Sequence, residues 1–451
     1  MNLLRLAVLG LLLTACGFRP AGSNPTGDDD QPMIDAPGSG SDAGTTLGPC
    51  GKVGAIRDDF NDNLTANQWD VATPAQVSET GGELVVTPIG VVGTATGVLP
   101  LPVMPAMAQY MGYVSKHTVD LTGGAVTVEV TGMVDASSTA AVAEFGVVNT
   151  SKMYALIVVG HGSISFDADD GQPNGTLSGT TPYDPIADRW WRIAHVGSTL
   201  VGEVSADGSA WTPIGMPMPQ PAWLTRVDLA LGGSSTDLTP HGSVHYDNLD
   251  LDAAAQGWCK ASSLTDQFER STVGLDWDAL ATRNAPPTCT PSVNVGAHFD
   301  QTGTATARCE LTTSQGFDLT GDSVMIYVPS ITITRSGWNP FIRVVSDAVA
   351  DTFYLQFEHN TGDQLCAQVH SDAEQCIPYD PDRDLYWRIR ETSGMLVFES
   401  GPDTVTWTMV GTTAITFPVT AVDVEIGTAV TATFTPAVNL VIMAFNTNPP
   451  L

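Results

Sequence analysis

Hydrolytic chemistry on a β-strand needs two carboxylates whose side chains lie on the same face of that strand. Residues two or four positions apart meet this condition, because successive side chains point to opposite faces. Two carboxyl groups about 5–5.5 Å apart can then act as nucleophile and acid/base on a glycosidic bond. The chain contains no Glu-x-Asp-x-Glu sequence; Glu79 and Glu83 are four residues apart, but Thr80, Gly81 and Gly82 separate them.

Other catalytic motifs are also missing from the sequence. It contains no Gly-x-Ser-x-Gly nucleophile turn, no phosphate-binding loop and no His-Glu-x-x-His zinc motif. These observations predict that the protein is not an enzyme, although they leave open a catalytic site of unfamiliar design.

The charge of the chain excludes one class of partner. Lys and Arg number 18 against 49 Asp and Glu, which gives a formal net charge of −31 at pH 7. Nucleic acid is bound by clustered Lys and Arg, so we expect no nucleic-acid partner. Hydrophobic residues make up 43% of the chain, which is enough for sizeable cores. The length of 451 residues suggests two or three domains.

The first sixteen residues predict export and lipidation. Arg5 precedes an apolar run over 6–13, which is shorter than the roughly 20 residues of a membrane-spanning helix and has the length of a secretory signal. The run ends in LTAC, which resembles a bacterial lipobox. The resemblance implies removal of residues 1–15 and acylation of Cys16, which would anchor an exported protein to the cell envelope through lipid. The residue after Cys16 is Gly17 and not aspartate, which in Gram-negative sorting favours the outer membrane.

A linker and a repeat follow. Residues 16–49 contain few large apolar side chains among Gly, Pro, Ser, Thr and Asp, so they predict a disordered tether. Beyond the linker, a Tyr-Asp-Pro motif followed by Trp-Arg-Ile occurs at 183–193 and again at 379–389. A repeat with an offset near 200 residues predicts two copies of one domain, over 50–258 and 259–451.

Each copy has the sequence pattern of β-strands. Short segments rich in Val, Thr and Ile alternate with period two, as in Val126, Val128 and Val130, and Gly, Pro, Asn and Asp separate them. No segment after the linker shows a sustained helical period. The pattern predicts an all-β fold with two tandem antiparallel β-sandwiches.

The repeated motifs point to a family. Together with Ser-Ala-Asp-Gly-Ser-Ala-Trp at 205–211 and Tyr-Asp-Asn-Leu at 246–249, they resemble the concanavalin A-like lectin/glucanase superfamily, especially laminin-G-like modules of bacterial surface proteins. The resemblance covers nearly all of 57–252 and, more loosely, 264–446. It implies jelly-roll sandwiches in which the first and last strands are neighbours, and it says little about the ligand.

The resemblance also implies a structural calcium ion near the first and last strands, held by hard oxygen ligands. The candidate ligands are Asp59 and Asp247 in the first copy. The second copy keeps Asp266 but has no matching terminal aspartate. Solvated carboxylates at strand ends are the alternative, and no other cofactor is predicted.

The remaining cysteines predict disulfide bonds. Six cysteines follow Cys16, and an even number in an exported protein favours disulfides over free thiols. A zinc site is the alternative, which no Cys-x-x-Cys or suitably spaced histidine supports. The predicted bonds are Cys366–Cys376 and Cys289–Cys309, from nearness in sequence, and Cys50–Cys259, from the neighbouring first and last strands that the resemblance implies.

Saccharide binding requires an aromatic ring for the apolar face of a pyranose and fixed polar groups around it. Because neighbouring strand residues face opposite ways, only one ring of Trp190 and Trp191 points inward. We expect Trp191 and its counterpart Trp387 in the core, together with Trp211 and Trp407. The candidate ligand-binding residues on the outer faces are Trp190 with Arg192 and Tyr386 with Arg388. Surface aromatics that pack on arginine stems are the alternative.

The sequence therefore predicts an envelope lipoprotein with non-catalytic β-sandwich modules. The leading hypothesis is binding of an envelope or extracellular polysaccharide. The alternative is a structural or adhesive surface protein whose modules bind other proteins. In both cases the membrane is a partner through the N-terminal lipid.

Overall fold

Strands form most of the regular structure of the protein, for which we use a computed structural model. The only helices among the described residues are four short 3₁₀ helices, at Val53–Ala55, Pro74–Gln76, Ala222–Thr225 and Ala261–Ser263, and none of these could cross a membrane. The prediction of an all-β fold is confirmed. The structure describes residues 51–61, 68–90, 109–135, 138–149, 153–169, 176–177, 179–250, 257–273, 276–281, 291–301, 307–329, 331, 337–346, 352–359, 363–369, 372–430 and 438–448.

The first half of the chain forms two antiparallel sheets. One has the order β1-β4-β15-β6-β7-β8-β10, with β9 beside β8, and the other has the order β13-β12-β11-β5-β16-β3-β2, with β14 beside β12. We call them sheet A and sheet B. Their strands are β1 Trp69–Ala72, β2 Val77–Glu79, β3 Leu84–Val86, β4 Gln109–Ser115, β5 Ala125–Gly132, β6 Ala141–Val148, β7 Tyr154–Gly160, β8 Ser163–Asp169, β9 Thr176–Leu177, β10 Thr181–Pro182, β11 Trp190–Val196, β12 Thr199–Ser205, β13 Thr212–Pro213, β14 Met218–Pro219, β15 Asp228–Ser235 and β16 Val244–Asp247.

The second half follows a similar plan. Sheet C has the order β17-β22-β31-β24-β25-β26-β27, with β21 also beside β31 and β18 beside β21; sheet D has the order β30-β29-β28-β23-β33, and a small sheet has the order β19-β20-β32. The strands are β17 Cys259–Lys260, β18 Trp277–Ala281, β19 Ser292–Val293, β20 Ala297–Gln301, β21 Ala307–Thr313, β22 Phe317–Asp318, β23 Ser323–Tyr327, β24 Trp338–Ser346, β25 Thr352–His359, β26 Asp363–Val369, β27 Gln375–Pro378, β28 Tyr386–Thr392, β29 Met395–Gly401, β30 Thr408–Ala414, β31 Val422–Val430, β32 Val438–Ile442 and β33 Ala444–Phe445.

The two halves share their central strand orders. In sheet A the run is β4-β15-β6-β7-β8, and in sheet C it is β21-β31-β24-β25-β26. In sheet B the run is β12-β11-β5, and in sheet D it is β29-β28-β23. One apolar core lies between sheets A and B and runs from Val53 to Leu249; a separate core in the second half runs from Cys259 to Phe445. Each half is therefore a β-sandwich with its own core.

The repeated Asp-x-Phe motif has a structural role. The Asp58 carboxylate accepts hydrogen bonds from the backbone N–H of Phe60 at 2.9 Å and from the indole Nε1 of Trp69 at 2.7 Å. Phe60 has a φ of 50°, an unusual value for a bulky residue, so the cap holds a sharp bend. The second half repeats these contacts with Asp266, Phe268 and Trp277.

The repeated Tyr-Asp-Pro motif also supports the fold. The Asp188 carboxylate accepts a hydrogen bond from the Asp184 N–H at 2.8 Å, and the Asp188 carbonyl accepts one from Trp191 Nε1 at 2.9 Å. The loop therefore fixes the indole of a fully buried tryptophan. In the second half the same contacts involve Asp380, Asp384 and Trp387.

The two sandwiches contact each other directly. Residues 47–451 form one compact unit. Thr118 donates hydrogen bonds to the Ser314 carbonyl from its N–H at 2.9 Å and from its hydroxyl at 3.1 Å. Arg226 donates to the Ser314 hydroxyl at 3.0 Å and forms an ion pair with Asp276. These bonds fix the second sandwich to the first.

One predicted disulfide bond is confirmed. Cys366 and Cys376 lie opposite each other on β26 and β27 and are bonded, so their thiolates cannot serve as metal ligands. Cys259 is in a disulfide bond, and so is Cys309; their predicted partners, Cys50 and Cys289, lie outside the described residues. The other three cysteines lie outside the described residues, as do the predicted signal peptide at 1–15 and the linker at 16–49. The three cysteines outside the described residues are Cys16, Cys50 and Cys289.

Candidate functional site

The outer face of sheet B carries the first group of predicted ligand-binding residues. Along β11, Trp191 and Ile193 are fully buried in the core, whereas Trp190 and Arg192 are partly exposed on the other side of the strand. The strand alternation predicted from the sequence is thus present at this position.

Arg192 is held from two sides. Glu203 lies directly opposite on β12, and its Oε2 accepts from Arg192 Nε at 2.7 Å and Nη2 at 2.5 Å. The guanidinium carbon lies 4.2 Å from the ring centroid of Trp211, a cation–π contact. We call Arg192, Glu203 and Trp211 the first platform.

The second sandwich repeats this arrangement on the outer face of sheet D. Glu399 Oε2 accepts from Arg388 Nε at 2.8 Å and Nη2 at 2.6 Å, and it also accepts from Arg390 Nε at 2.9 Å. The Arg388 guanidinium lies 3.8 Å from the Trp407 ring centroid. We call Arg388, Glu399 and Trp407 the second platform.

Two expectations about aromatic residues are wrong. Trp211 and Trp407 are not core residues: both are partly exposed on outer faces, where each ring provides a surface for an arginine whose charge cannot enter the core. Tyr386 lies beside the second platform but is only 7% exposed, because its ring packs on Tyr327 with centroids 4.8 Å apart. Tyr386 therefore supports the face from below and offers little surface to a ligand.

Trp190 is partly covered as well. A Cβ atom added at Gly208 would lie 3.2 Å from the Trp190 ring, so one face of the indole packs on the turn after β12. Gly208 has a φ of 75° and leaves room for this close approach. On the outer face of sheet B, Trp211 and the uncovered side of Trp190 therefore offer aromatic surface.

The predicted calcium ligands interact electrostatically. Burial raises the pKa of Asp247, and the charges of Glu129, Glu83 and Asp59 raise it further. Glu129 is paired with Arg189, and Glu83 accepts from His245 Nδ1 at 2.7 Å. Asp59 and Asp247 thus share a patch of like charge at the strand ends. In the second half, contacts with Phe268, Trp277 and Arg270 occupy Asp266.

Sheet A contains a buried carboxyl group that the sequence reasoning missed. Glu144 is 6% exposed, and its Oε1 accepts a hydrogen bond from the Ser234 hydroxyl at 2.9 Å. Burial raises the pKa of Glu144 to about 7, and the charge of Asp167 contributes to the shift. The available signal was a single glutamate at an outward position of the apolar strand β6.

Comparisons with known proteins give structural similarities only. No protein-family model matches the chain, and no curated protein matches it. Among solved structures, an apo Crh5 transglycosylase is similar over 41% of this chain and 84% of its own, at 14% identity and a TM-score of 0.32. A Bacillus licheniformis beta-glucanase is similar over 40% and 95%, at 10% identity and 0.31. The GH43 BlXynB protein of Bacillus licheniformis is similar over 67% and 64%, at 12% identity and 0.33.

Proposed function

We propose that the protein is a non-catalytic, lipid-anchored envelope protein that binds polysaccharide through the first and second platforms. The observation that carries this proposal is the repetition of one Arg-Glu-Trp arrangement at the same strand positions in both sandwiches. In each, the glutamate faces the arginine across a strand pair, and a partly exposed tryptophan packs on the guanidinium.

The chemistry of each platform suits a saccharide. A tryptophan ring offers an apolar surface with few rotatable bonds, so ordering it on binding has a small entropic cost. An arginine has five N–H donors, and the glutamate occupies only part of them. The glutamate can still accept a hydrogen bond from a sugar hydroxyl. Since Glu203 and Glu399 hold the arginines in place before binding, the polar groups are preorganised around the ring.

The N-terminal segment supports the proposed location. Acylation of Cys16 would add lipid chains that each contribute about 0.8 kcal/mol per buried CH₂ to membrane binding. The linker over 16–49 would then hold the sandwiches away from the bilayer. We assign the protein to the outer membrane of a Gram-negative bacterium on the basis of Gly17.

Calcium fits the acidic patch of the first sandwich. Asp59 and Asp247 supply hard oxygen atoms; burial chiefly raises the pKa of Asp247, and the negative charges of Glu129, Glu83 and Asp59 add to the shift. These two residues would hold the ion, which would neutralise the patch and fix the strand ends.

A second candidate function is adhesion to other proteins. Ile186 is 80% exposed and Val405 is 83% exposed, and each lies in a turn next to the strands that carry a platform. We propose that these two side chains, one beside each platform, contact a protein partner in this alternative.

A glycan array probed with the full chain tests the proposal. We expect wild-type protein to bind at least one polysaccharide, and the Trp211→Ala/Trp407→Ala variant to lose at least about tenfold in affinity, or about 1.4 kcal/mol. Trp190→Ala tests the neighbouring ring, and Ile186→Ser is the control that leaves both platforms intact. If no glycan binds, or if only Ile186→Ser reduces binding to a partner, the adhesion hypothesis replaces this one.

A further inference from the structure

The outer face of sheet C carries a row of polar residues that crosses five neighbouring strands. Direct register joins Thr312 on β21 to Glu425 on β31, Glu425 to Arg343 on β24, Arg343 to Tyr354 on β25, and Tyr354 to Gln368 on β26. We call these five residues the polar row. With strands about 4.8 Å apart, the row is roughly 19 Å long.

Charged groups dominate one end of the polar row. Arg343 donates a hydrogen bond from Nε to Glu425, and its Nη2 lies 3.5 Å from an oxygen of Glu310 on β21. The guanidinium also lies 5.5 Å from the ring centroid of Phe341. Among the described residues, two carboxylates therefore face one guanidinium, which gives this part of the cluster an excess of negative charge and of hydrogen-bond acceptors.

Uncharged polar groups form the other end. The Tyr354 hydroxyl donates to Gln368 and lies 3.4 Å from an oxygen of Glu374. Tyr354 and Gln368 are partly exposed, whereas Thr312, Glu425 and Arg343 are at most 9% exposed. The row is therefore accessible from the side of β25 and β26 and becomes buried towards β21.

The first sandwich serves as an internal comparison. The shared strand order and the Val-Asp sequence at 227–228 and 422–423 show that β15 is equivalent to β31. The register of sheet A then gives the row equivalent to the polar row. This row is mostly apolar, and the same fold therefore does not require charges at these positions. Its residues are Val114, Ala230, Gly146, Leu156 and Asp167.

The buried end of the polar row is energetically unfavourable on its own. Removing a charged pair from water is unfavourable for each ion, and apolar residues serve in the other sandwich. In addition, the Thr312 hydroxyl is buried and has no hydrogen-bond partner among the described residues, which is also unfavourable. Departures of this kind from ordinary packing are typical of functional sites.

We infer that the polar row and Glu310 form a separate binding site for a neutral, hydroxyl-rich saccharide. Sugar hydroxyls can donate to the carboxylates, to Thr312 and to the Tyr354 oxygen, and they can accept from the Gln368 amide. The excess of carboxylate disfavours anionic polysaccharides, which defines the ligand class. The site lies on sheet C, not on the sheet that carries the second platform. The inference rests on the proposed saccharide specificity of the protein but not on either platform.

The test uses the full chain and immobilised neutral oligosaccharides derived from glucan, mannan, xylan and galactan, with polygalacturonate as the anionic probe. The starting protein is Trp211→Ala/Trp407→Ala, in which both platforms are disabled. We expect this protein to retain binding to a neutral oligosaccharide and to show none to polygalacturonate. Adding Glu310→Gln or the more exposed Tyr354→Phe should reduce the retained binding at least about tenfold.

Glu144→Gln is the matched control, because it changes a buried glutamate on the equivalent sheet of the first sandwich. It should leave the retained binding unchanged, and thermal unfolding checks that each variant is folded. Loss of all binding in the platform variant overturns the polar-row site and leaves the platforms standing. Retained binding that Glu310→Gln and Tyr354→Phe do not reduce also overturns the polar-row site. Full wild-type binding by the platform variant, with loss in Tyr354→Phe, overturns the platforms instead.

Discussion

Replacing the buried Glu144 by glutamine should change how the stability of the first sandwich depends on pH. In the folded protein the pKa of Glu144 is raised to about 7 from an ordinary value of 4.5, chiefly because the carboxyl group is buried. The folded state therefore keeps its proton up to about pH 7, whereas the unfolded chain releases the proton near pH 4.5. Between these values the folded state binds more protons, and its stability falls as the pH rises.

The size of the effect follows from the two pKa values. A shift from 4.5 to about 7 corresponds to about 3 kcal/mol of stability, fully present below pH 4.5 and lost once the pH exceeds 7. Glutamine does not titrate and can keep the hydrogen bond from Ser234. Relative to wild type, Glu144→Gln should therefore gain about 3 kcal/mol between pH 4.5 and pH 8.5. For a domain of this size that corresponds to roughly 6–12 °C in melting temperature.

Calorimetry at intervals from pH 4.5 to 8.5 measures the difference in melting temperature between variant and wild type. Comparing differences removes the titration of all other groups. Asp207→Asn is the control: hydrogen bonds from the N–H groups of Ser209 and Ala210 lower the pKa of Asp207, so it stays ionised and its difference should be flat over this range. A flat difference for Glu144→Gln as well would refute the reasoning.

Other substitutions test the fold, the calcium site and the anchor. Trp387→Ala should destabilise the second sandwich by about 3–5 kcal/mol in chemical unfolding, because it empties a fully buried indole site; a change under 1 kcal/mol would contradict this. Replacing Cys366 and Cys376 by serine should cost about 3 kcal/mol in the same assay, from the short loop that the bond closes, whereas no loss would mean that the bond contributes nothing. Millimolar calcium should raise the melting temperature of wild type but not of Asp247→Asn, and equal responses would remove the calcium site. Cys16→Ala should abolish metabolic labelling with palmitate and release the protein from membranes; persistent labelling would refute the lipid anchor.

Local patterns in the sequence predicted the features that depend on local geometry. Period-two alternation placed Trp191 in the core and Arg192 on the outer face, because side-chain direction along a strand follows from position alone. Nearness in sequence predicted the Cys366–Cys376 bond, since β26 and β27 are adjacent in the chain and in the sheet. The all-β class followed from the same alternation and from the turn residues between segments.

Features that depend on register between strands could not be predicted in this way. Arg192 meets Glu203 because two strands pair in one register, and Trp211 reaches the guanidinium only after the turn has formed. A tryptophan in a sequence is usually expected to be a core residue. Only the contact with Arg192 explains why Trp211 lies on the outer face. Glu144 acquires its raised pKa from burial by residues distant in the chain.

Comparing the two sandwiches separates residues that maintain the fold from residues that we propose bind a ligand. The Asp-x-Phe and Tyr-Asp-Pro motifs recur because each caps backbone N–H groups or fixes a buried indole, as the contacts of Asp58 and Asp188 show. The Arg-Glu-Trp platforms differ from these motifs because their side chains are partly exposed on the outer faces of the sheets. The polar row differs from both, because it occurs only in the second sandwich. The equivalent row of the first sandwich is mostly apolar, so the fold does not need these polar residues. We therefore expect substitutions in the recurring caps to lower stability, and substitutions in the platforms or at the partly exposed Tyr354 of the polar row to lower binding at nearly unchanged stability.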